Sequence, residues 1–191
     1  MFEEMREQVR MCTICGENFR GMGAVGIGKE QDPSIFFIGM NPWVHPNTGE
    51  FRNGRGLTKL LEYLNRWRIT NWFLDNVIKC QMPGKFRPGK KHAENCKPYL
   101  MNQLKAFPDA KIIVFGQFAA ESMNIQYIPW NDNKYIATVP HFSSIFYPSG
   151  LDEKEYYKRM RAIVKVNQKQ LNLFGGSYAD LHKPHGNDKR S

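Results

Sequence analysis

The chain predicts an α/β fold, a single-domain three-layer sandwich in which a central, mostly parallel four-stranded sheet is flanked by helices. Three observations carry this. Four short runs rich in β-branched and aromatic residues, 34–38, 72–79, 111–115 and 135–139, have the length and composition of buried strands. Segments with apolar residues at helical spacing alternate with them. The strand candidates also stop at glycine or at a loop of polar and aromatic groups, as open α/β sheets do at the carboxyl edge where sites are built. No repeat or linker divides the 191 residues. Residues 1–174 therefore read as one domain, followed by a polar tail, 175–191, with the composition of a frayed end.

The bulk composition bounds the function. An apolar content of 41% supports a packed core, and a net charge of +9 points to an anionic partner such as nucleic acid. No apolar run approaches the roughly 20 residues that span a bilayer. The first ten residues, M-F-E-E-M-R-E-Q-V-R, carry acids and lack the apolar stretch of a signal peptide. The expectation is a cytoplasmic monomer whose four cysteines are reduced thiols, open to a metal rather than paired as disulfides.

Taken in order, residues 1–10 open a helix that runs into Cys12-Thr13-Ile14-Cys15. A C-x-x-C pair aims two sulfurs at one point and is a common half of a zinc or iron–sulfur site. The next segment, G-M-G-A-V-G-I-G, contains a formal G-x-G-x-x-G at Gly21, Gly23 and Gly26. The dinucleotide fingerprint needs a strand before it and a helix after it. A cysteine knuckle precedes here and a charged turn follows, so irregular chain or a small hairpin is expected.

The run Ser34–Ile38 ends at Gly39, and Met40, Asn41, Pro42, Trp43, His45 and Phe51 crowd the loop beyond it. A helix with Leu57, Leu60, Leu61 and Leu64 on one face follows. The strand candidate 72–79 carries Asp75-Asn76 where a buried strand would be apolar, and Cys80 follows at once. Residues 81–91 form a turn-rich basic segment with Lys85, Arg87, Lys90 and Lys91, either a solvated loop or an arm for phosphates. A helix with Cys96 near its start turns Leu100 and Leu104 inward; strand 111–115 ends at Gly116 and a short helix follows. Strand 135–139 leads into P-H-F-S-S, and a last amphipathic helix covers about 152–171.

Cys12, Cys15, Cys80 and Cys96 are the complete set of cysteines and suggest one tetrathiolate site. Structural zinc and a [4Fe–4S] cluster both accept four thiolates. The fifteen residues between Cys80 and Cys96 suit a loop wrapped around a larger cubane, with zinc as the alternative.

These pieces together resemble the uracil-DNA glycosylase superfamily, and most closely its iron–sulfur branch, often called family four. The resemblance runs from Cys12 to about Phe146 through the C-x-x-C, G-M-N-P, D-N-V-I-K-C-Q-M-P-G, C-K-P-Y-L, I-I-V-F-G and P-H-F-S-S. It implies a monofunctional DNA glycosylase that flips uracil or a related deaminated base from DNA, hydrolyses its N-glycosidic bond and leaves an abasic site, with a structural cluster on the four cysteines. By this resemblance Asn41 would hold the attacking water and His141 would stabilise charge building on uracil O2. Gly39, Met40, Trp43, Phe51 and Asn76 would bind the base, Phe51 by stacking and Asn76 by hydrogen bonds to its edge. Trp43 would lie beside C5 and bar the methyl of thymine. Lys85, Arg87, Lys90 and Lys91 would meet phosphates, and Ser143, Ser144, Ile145 and Phe146 fall where a wedge enters the gap left by the base.

Two departures stand out. The iron–sulfur branch has an acid where this chain has Met40, and the G-M-N-P resembles the single-strand-selective and mismatch-specific branches instead. The expected H-P-S is H-F-S here. The plainer alternatives are a structural His141, a capping Asn76 and a core Phe51. The competing functions are a catalytically weak DNA-binding protein on the same frame, or a relative acting on a modified pyrimidine.

Overall fold

A computed structural model describes residues 1–45, 49–52, 54–84, 86–133, 135–148 and 150–170, the last five of these by backbone alone. The strands are β1 (Ile27–Gly28), β2 (Ile35–Gly39), β3 (Trp72–Asn76), β4 (Lys111–Phe115), β5 (Asn131–Asp132) and β6 (Ile136–Val139). The helices are α1 (Phe2–Arg10), α2 (Arg55–Trp67), α3 (Lys90–Ala106), α4 (Gln117–Ser122) and α5 (Glu153–Gln170). The expected tail 175–191 lies outside the described residues.

The sheet has six strands in the order β1-β3-β2-β4-β6-β5, which corrects the expected four. The inner four are parallel and are the ones with a sequence signal; β1 and β5 are antiparallel edges of two residues each. Two residues are too few to show any periodicity. β1 falls in the glycine-rich segment: a side chain at Gly26 would strike the Phe73 ring 2.2 Å away, so glycine lets this edge lie flat on β3. Lys111 of β4 is buried and ion-paired with Asp132 of β5, which fastens the other edge.

Alternate residues of the inner strands feed two cores. Phe36, Ile38, Ile112 and Val114 face α1, α3 and α4, where Phe2, Phe73 and Phe107 pack ring on ring at 5.2–5.5 Å. Ile35, Phe37, Ile113 and Phe115 face α2 and α5, with Leu57, Leu60, Leu64, Tyr156 and Met160. Each face of the sheet is covered, so the parallel strands are mostly apolar, with Asp75, Asn76, Lys111 and Thr138 as buried polar exceptions. The expected strand 72–79 stops at Asn76. Beyond it Val77 donates to the carbonyl of Gly39, the last residue of β2, and Ile78 to that of Met40 just past it, and the chain leaves the ladder toward the cysteines.

Candidate active site

Four parallel strands that end together place their following loops side by side. The loops after β2 and β6, with the end of β3 and the start of α2, enclose a cleft of about 540 Å³. Asn41, Trp43, Phe51, Asn76 and His141 all line it, together with Gly39.

Asn76 is the last residue of β3 and is buried. Its Nδ2 has no hydrogen-bond partner among the described residues. Its Oδ1 lies 2.5 Å from where a Cβ on Gly39 would stand, so only glycine at that position leaves room for this amide. One residue earlier the situation is reversed. Asp75 is fully buried; its Oδ1 accepts the Asn76 N–H at 2.7 Å and its Oδ2 accepts from Lys79 Nζ at 2.8 Å and from Gln103 Nε2. Lys79 Nζ also donates to the Asn76 carbonyl and to Gln103 Oε1, both at 2.8 Å.

Asn41 directs its Nδ2 to the Pro42 carbonyl at 3.3 Å. Its amide oxygen is the side chain's acceptor, suited to hold a water. His141 follows β6 and is held by Ser143, whose N–H donates to Nδ1 at 3.2 Å and whose hydroxyl lies 2.7 Å from the same nitrogen. Burial pushes its pKa down to about 4. The ring is therefore neutral at physiological pH, with Nδ1 accepting and Nε2 carrying the proton. A neutral imidazole with a free N–H is an electrophile that costs no charge to bury.

Phe51 is half-buried; it bridges to Val44 across the loop and packs toward the α2/α5 core while lining the cleft. Trp43 forms the mouth, half exposed, with its ring beneath Arg52 at 5.1 Å and against Gly54. Met40 stands outside the lining; its carbonyl accepts from Ile78. The residues after His141 form a 3-10 helix, Phe142–Phe146. Ser143 and Phe146 line the cleft, whereas Ser144 does not and Ile145 packs toward the core. Arg87, Lys90 and Lys91 are exposed and stand apart from the lining; Lys85 lies outside the described residues.

A profile of the uracil DNA glycosylase superfamily matches residues 25–167, three quarters of the chain. The chain belongs to the uracil DNA glycosylase superfamily. It is also 25% identical over 124 residues to the type-4 uracil-DNA glycosylase of Pyrobaculum aerophilum, the match covering 63% of each protein. Cys12 and Cys15 fall before the residues matched to the superfamily, and Cys80 and Cys96 fall within them.

Sequence reasoning missed several cleft residues that the superfamily frame brings together here. Arg52 and Arg55 are exposed on the rim, Arg55 over the Phe146 ring at 4.7 Å. Phe142 lies 4.9 Å from Phe115 and 4.2 Å from His141, and its ring covers Gly56. Tyr147 closes the 3-10 helix and stands largely bare. Isolated arginines and aromatics carry no period, so only their position after a site loop could have marked them.

The four cysteines come from three segments: Cys12 and Cys15 just after α1, Cys80 early in the β3–α3 connection, and Cys96 within α3. Cys80 and Cys96 are buried, and Cys12 and Cys15 are half-buried. Burial, and after it the other three cysteines, raise the Cys80 thiol to about 12. Lys79 N–H donates to Cys96 Sγ at 3.4 Å and Asn95 Nδ2 to Cys15 Sγ at 3.2 Å. Among the described residues no three His, Cys, Asp or Glu side chains are arranged to hold a single ion.

Proposed function

We propose that this protein is a monofunctional DNA glycosylase that draws uracil out of DNA into the cleft and hydrolyses its N-glycosidic bond. The observation that carries this is the unpartnered, buried Nδ2 of Asn76 in one cleft with neutral His141 and Asn41. A buried donor without a partner costs about 1–3 kcal/mol, so the cleft is built for a ligand that brings an acceptor. Uracil O4 is such an acceptor; cytosine presents an amino group at the same place. A site that must satisfy a hydrogen bond discriminates strongly against an analogue that cannot.

Asn41 is too weak a base to deprotonate water, so it holds the water and the bond breaks dissociatively. The sugar gains positive charge while negative charge spreads onto the departing base. The Nε2–H of His141 stabilises that anion at O2 without transferring a full charge. Phe51 supports the extruded ring from the side, and the inner edge of Trp43 faces C5, which favours uracil over thymine. The test is release of free base from an oligonucleotide carrying one uracil, followed by alkali cleavage at the abasic site. A gel shift without base release would leave only a DNA-binding protein.

The cysteines support a [4Fe–4S] cluster at Cys12, Cys15, Cys80 and Cys96. The Cys80 and Cys96 thiols, pushed up by burial and by the neighbouring cysteines, fit a cationic group that would hold them as thiolates, and the two N–H···S contacts are those a cluster's sulfurs accept. Bound there, it would supply a cross-link between the N-terminal segment and the β3–α3 connection. Iron and sulfide analysis distinguishes the cluster, at about four irons per chain, from zinc.

A further inference from the structure

Two aromatic side chains stand bare at the cleft mouth for no reason of packing. Trp43 keeps 52% of its surface exposed and Tyr147 keeps 64%. Their backbones, by contrast, are held. The Trp43 carbonyl accepts from Arg52 N at 2.7 Å, beside the Val44–Phe51 bridge. The Tyr147 carbonyl accepts from Gly150 N at 2.8 Å, and a Cβ on Gly150 would collide with the Ser144 carbonyl at 1.7 Å, so this turn is built tight. Arg52 lies over the Trp43 ring and Arg55 over the ring of Phe146, the residue before Tyr147, both exposed and without an ion pair among the described residues.

The two rings come from the loops after β2 and β6, and β4 lies between those strands. Neighbouring strands are about 4.8 Å apart, so the platforms flank the cleft at roughly 10 Å where the loops begin. One nucleotide enters between them. We infer that Trp43 and Tyr147 stack on the bases on either side of the extruded nucleotide, with Arg52 and Arg55 on the intervening phosphates, and that the partner this mouth fits is single-stranded DNA. Unpaired bases offer free π-faces to a fixed ring, whereas in a duplex those faces are already stacked on neighbours. Stacking of this kind is tolerant of sequence and gains from an adjacent guanidinium. The pinned backbones lower the ordering cost of presenting the rings. The inference rests on the glycosylase reading for the nucleotide that enters the cleft, but not for the flanking contacts.

The experiment measures binding of the full chain to an undamaged single-stranded oligonucleotide and to its duplex at one salt concentration, by fluorescence anisotropy. Wild-type protein should bind the single strand more tightly. Trp43→Ala and Tyr147→Ala should each weaken single-strand binding about tenfold, the scale of one lost base–aromatic stack, and weaken duplex binding by a smaller factor. Trp43→Phe and Tyr147→Phe should restore the preference, which a folding defect would not allow. Equal losses on both DNA forms, or none on the single strand, would overturn the inference. Uracil release is scored separately on both forms. Protein that releases uracil yet shows no strand preference defeats this inference alone; protein that shows the preference yet releases no base defeats the glycosylase reading alone.

Discussion

Asp75 and Asn76 are neighbours at the end of β3, and both are buried, yet their surroundings are opposite. Each oxygen of Asp75 is taken up, by the Asn76 N–H on one side and by Lys79 and Gln103 on the other. The Asn76 Nδ2 meets nothing among the described residues. A buried polar group that serves the fold is part of a closed circuit, because an open one costs more than it returns. On the glycosylase reading proposed above, the open position is where a ligand completes the structure. The same carboxyl edge of the sheet would then hold a structural polar network and a functional one, one residue apart.

The sharpest way to break this comparison is to open the closed circuit. Lys79→Met leaves the Asp75 carboxylate buried without its cation, which should destabilise the protein by about 3–5 kcal/mol in urea unfolding. Adding Asp75→Asn to Lys79→Met should recover part of that loss, because the uncompensated charge goes with it. A loss below about 1 kcal/mol for Lys79→Met would show that the network is not what holds the end of β3.

The open side should respond the other way. Asn41→Ala and His141→Ala should each slow uracil release by about 10²–10³-fold, equivalent to about 2.7–4 kcal/mol for one preorganised partner. Asn76→Ala should cut kcat/KM for uracil while leaving stability within about 1 kcal/mol, because it removes a donor that was already unpaired. Large destabilisation by Asn76→Ala with unchanged turnover would reverse the two roles.

The pH dependence separates the two regions again. The His141 pKa is depressed in the folded chain to about 4, so between about pH 6.5 and 4 the unfolded chain binds the proton first. The burial of neutral His141 is then without penalty above pH 6.5, and stability falls as pH drops from there toward 4, by up to roughly 3 kcal/mol. His141→Gln should flatten that part of the stability profile, as read by unfolding at a series of pH values. An unchanged slope would place the acid sensitivity in another group.

This contrast also explains what could be read in the sequence. The inner strands announced themselves as apolar runs, and Asn41, Asn76 and His141 were visible as polar residues at strand ends. Lys79 and Gln103 were not: one falls within an apparent strand and the other in a helix, and only folding brings them to Asp75 from 4 and 28 residues away. β1 and β5 are too short to carry a pattern. Phe142 stands where the expected motif has proline, and no rule of periodicity says which glycine its ring will cover.

That glycine gives the smallest and most specific effect. Gly56 sits in the first turn of α2, and a Cβ there would stand 2.4 Å from Cε2 of Phe142. Two terms oppose each other in Gly56→Ala. Alanine is favoured over glycine inside a helix by about 1 kcal/mol, though less in a first turn. Overpacking a rigid neighbour costs about 1–3 kcal/mol. Phe142 is not rigidly enclosed, because one side of it borders the cleft. The ring can yield into that space, so the net change in stability should stay within about 1 kcal/mol. The yielding has a functional consequence, since the ring that moves lies 4.2 Å from His141 and enters the volume a base would fill. Uracil release should fall about tenfold, chiefly through KM, on the scale of 1.4 kcal/mol. Shortening the ring in Gly56→Ala/Phe142→Leu should restore KM in steady-state kinetics, and the opposite result, a KM untouched by Gly56→Ala, would show that Phe142 yields away from the cleft.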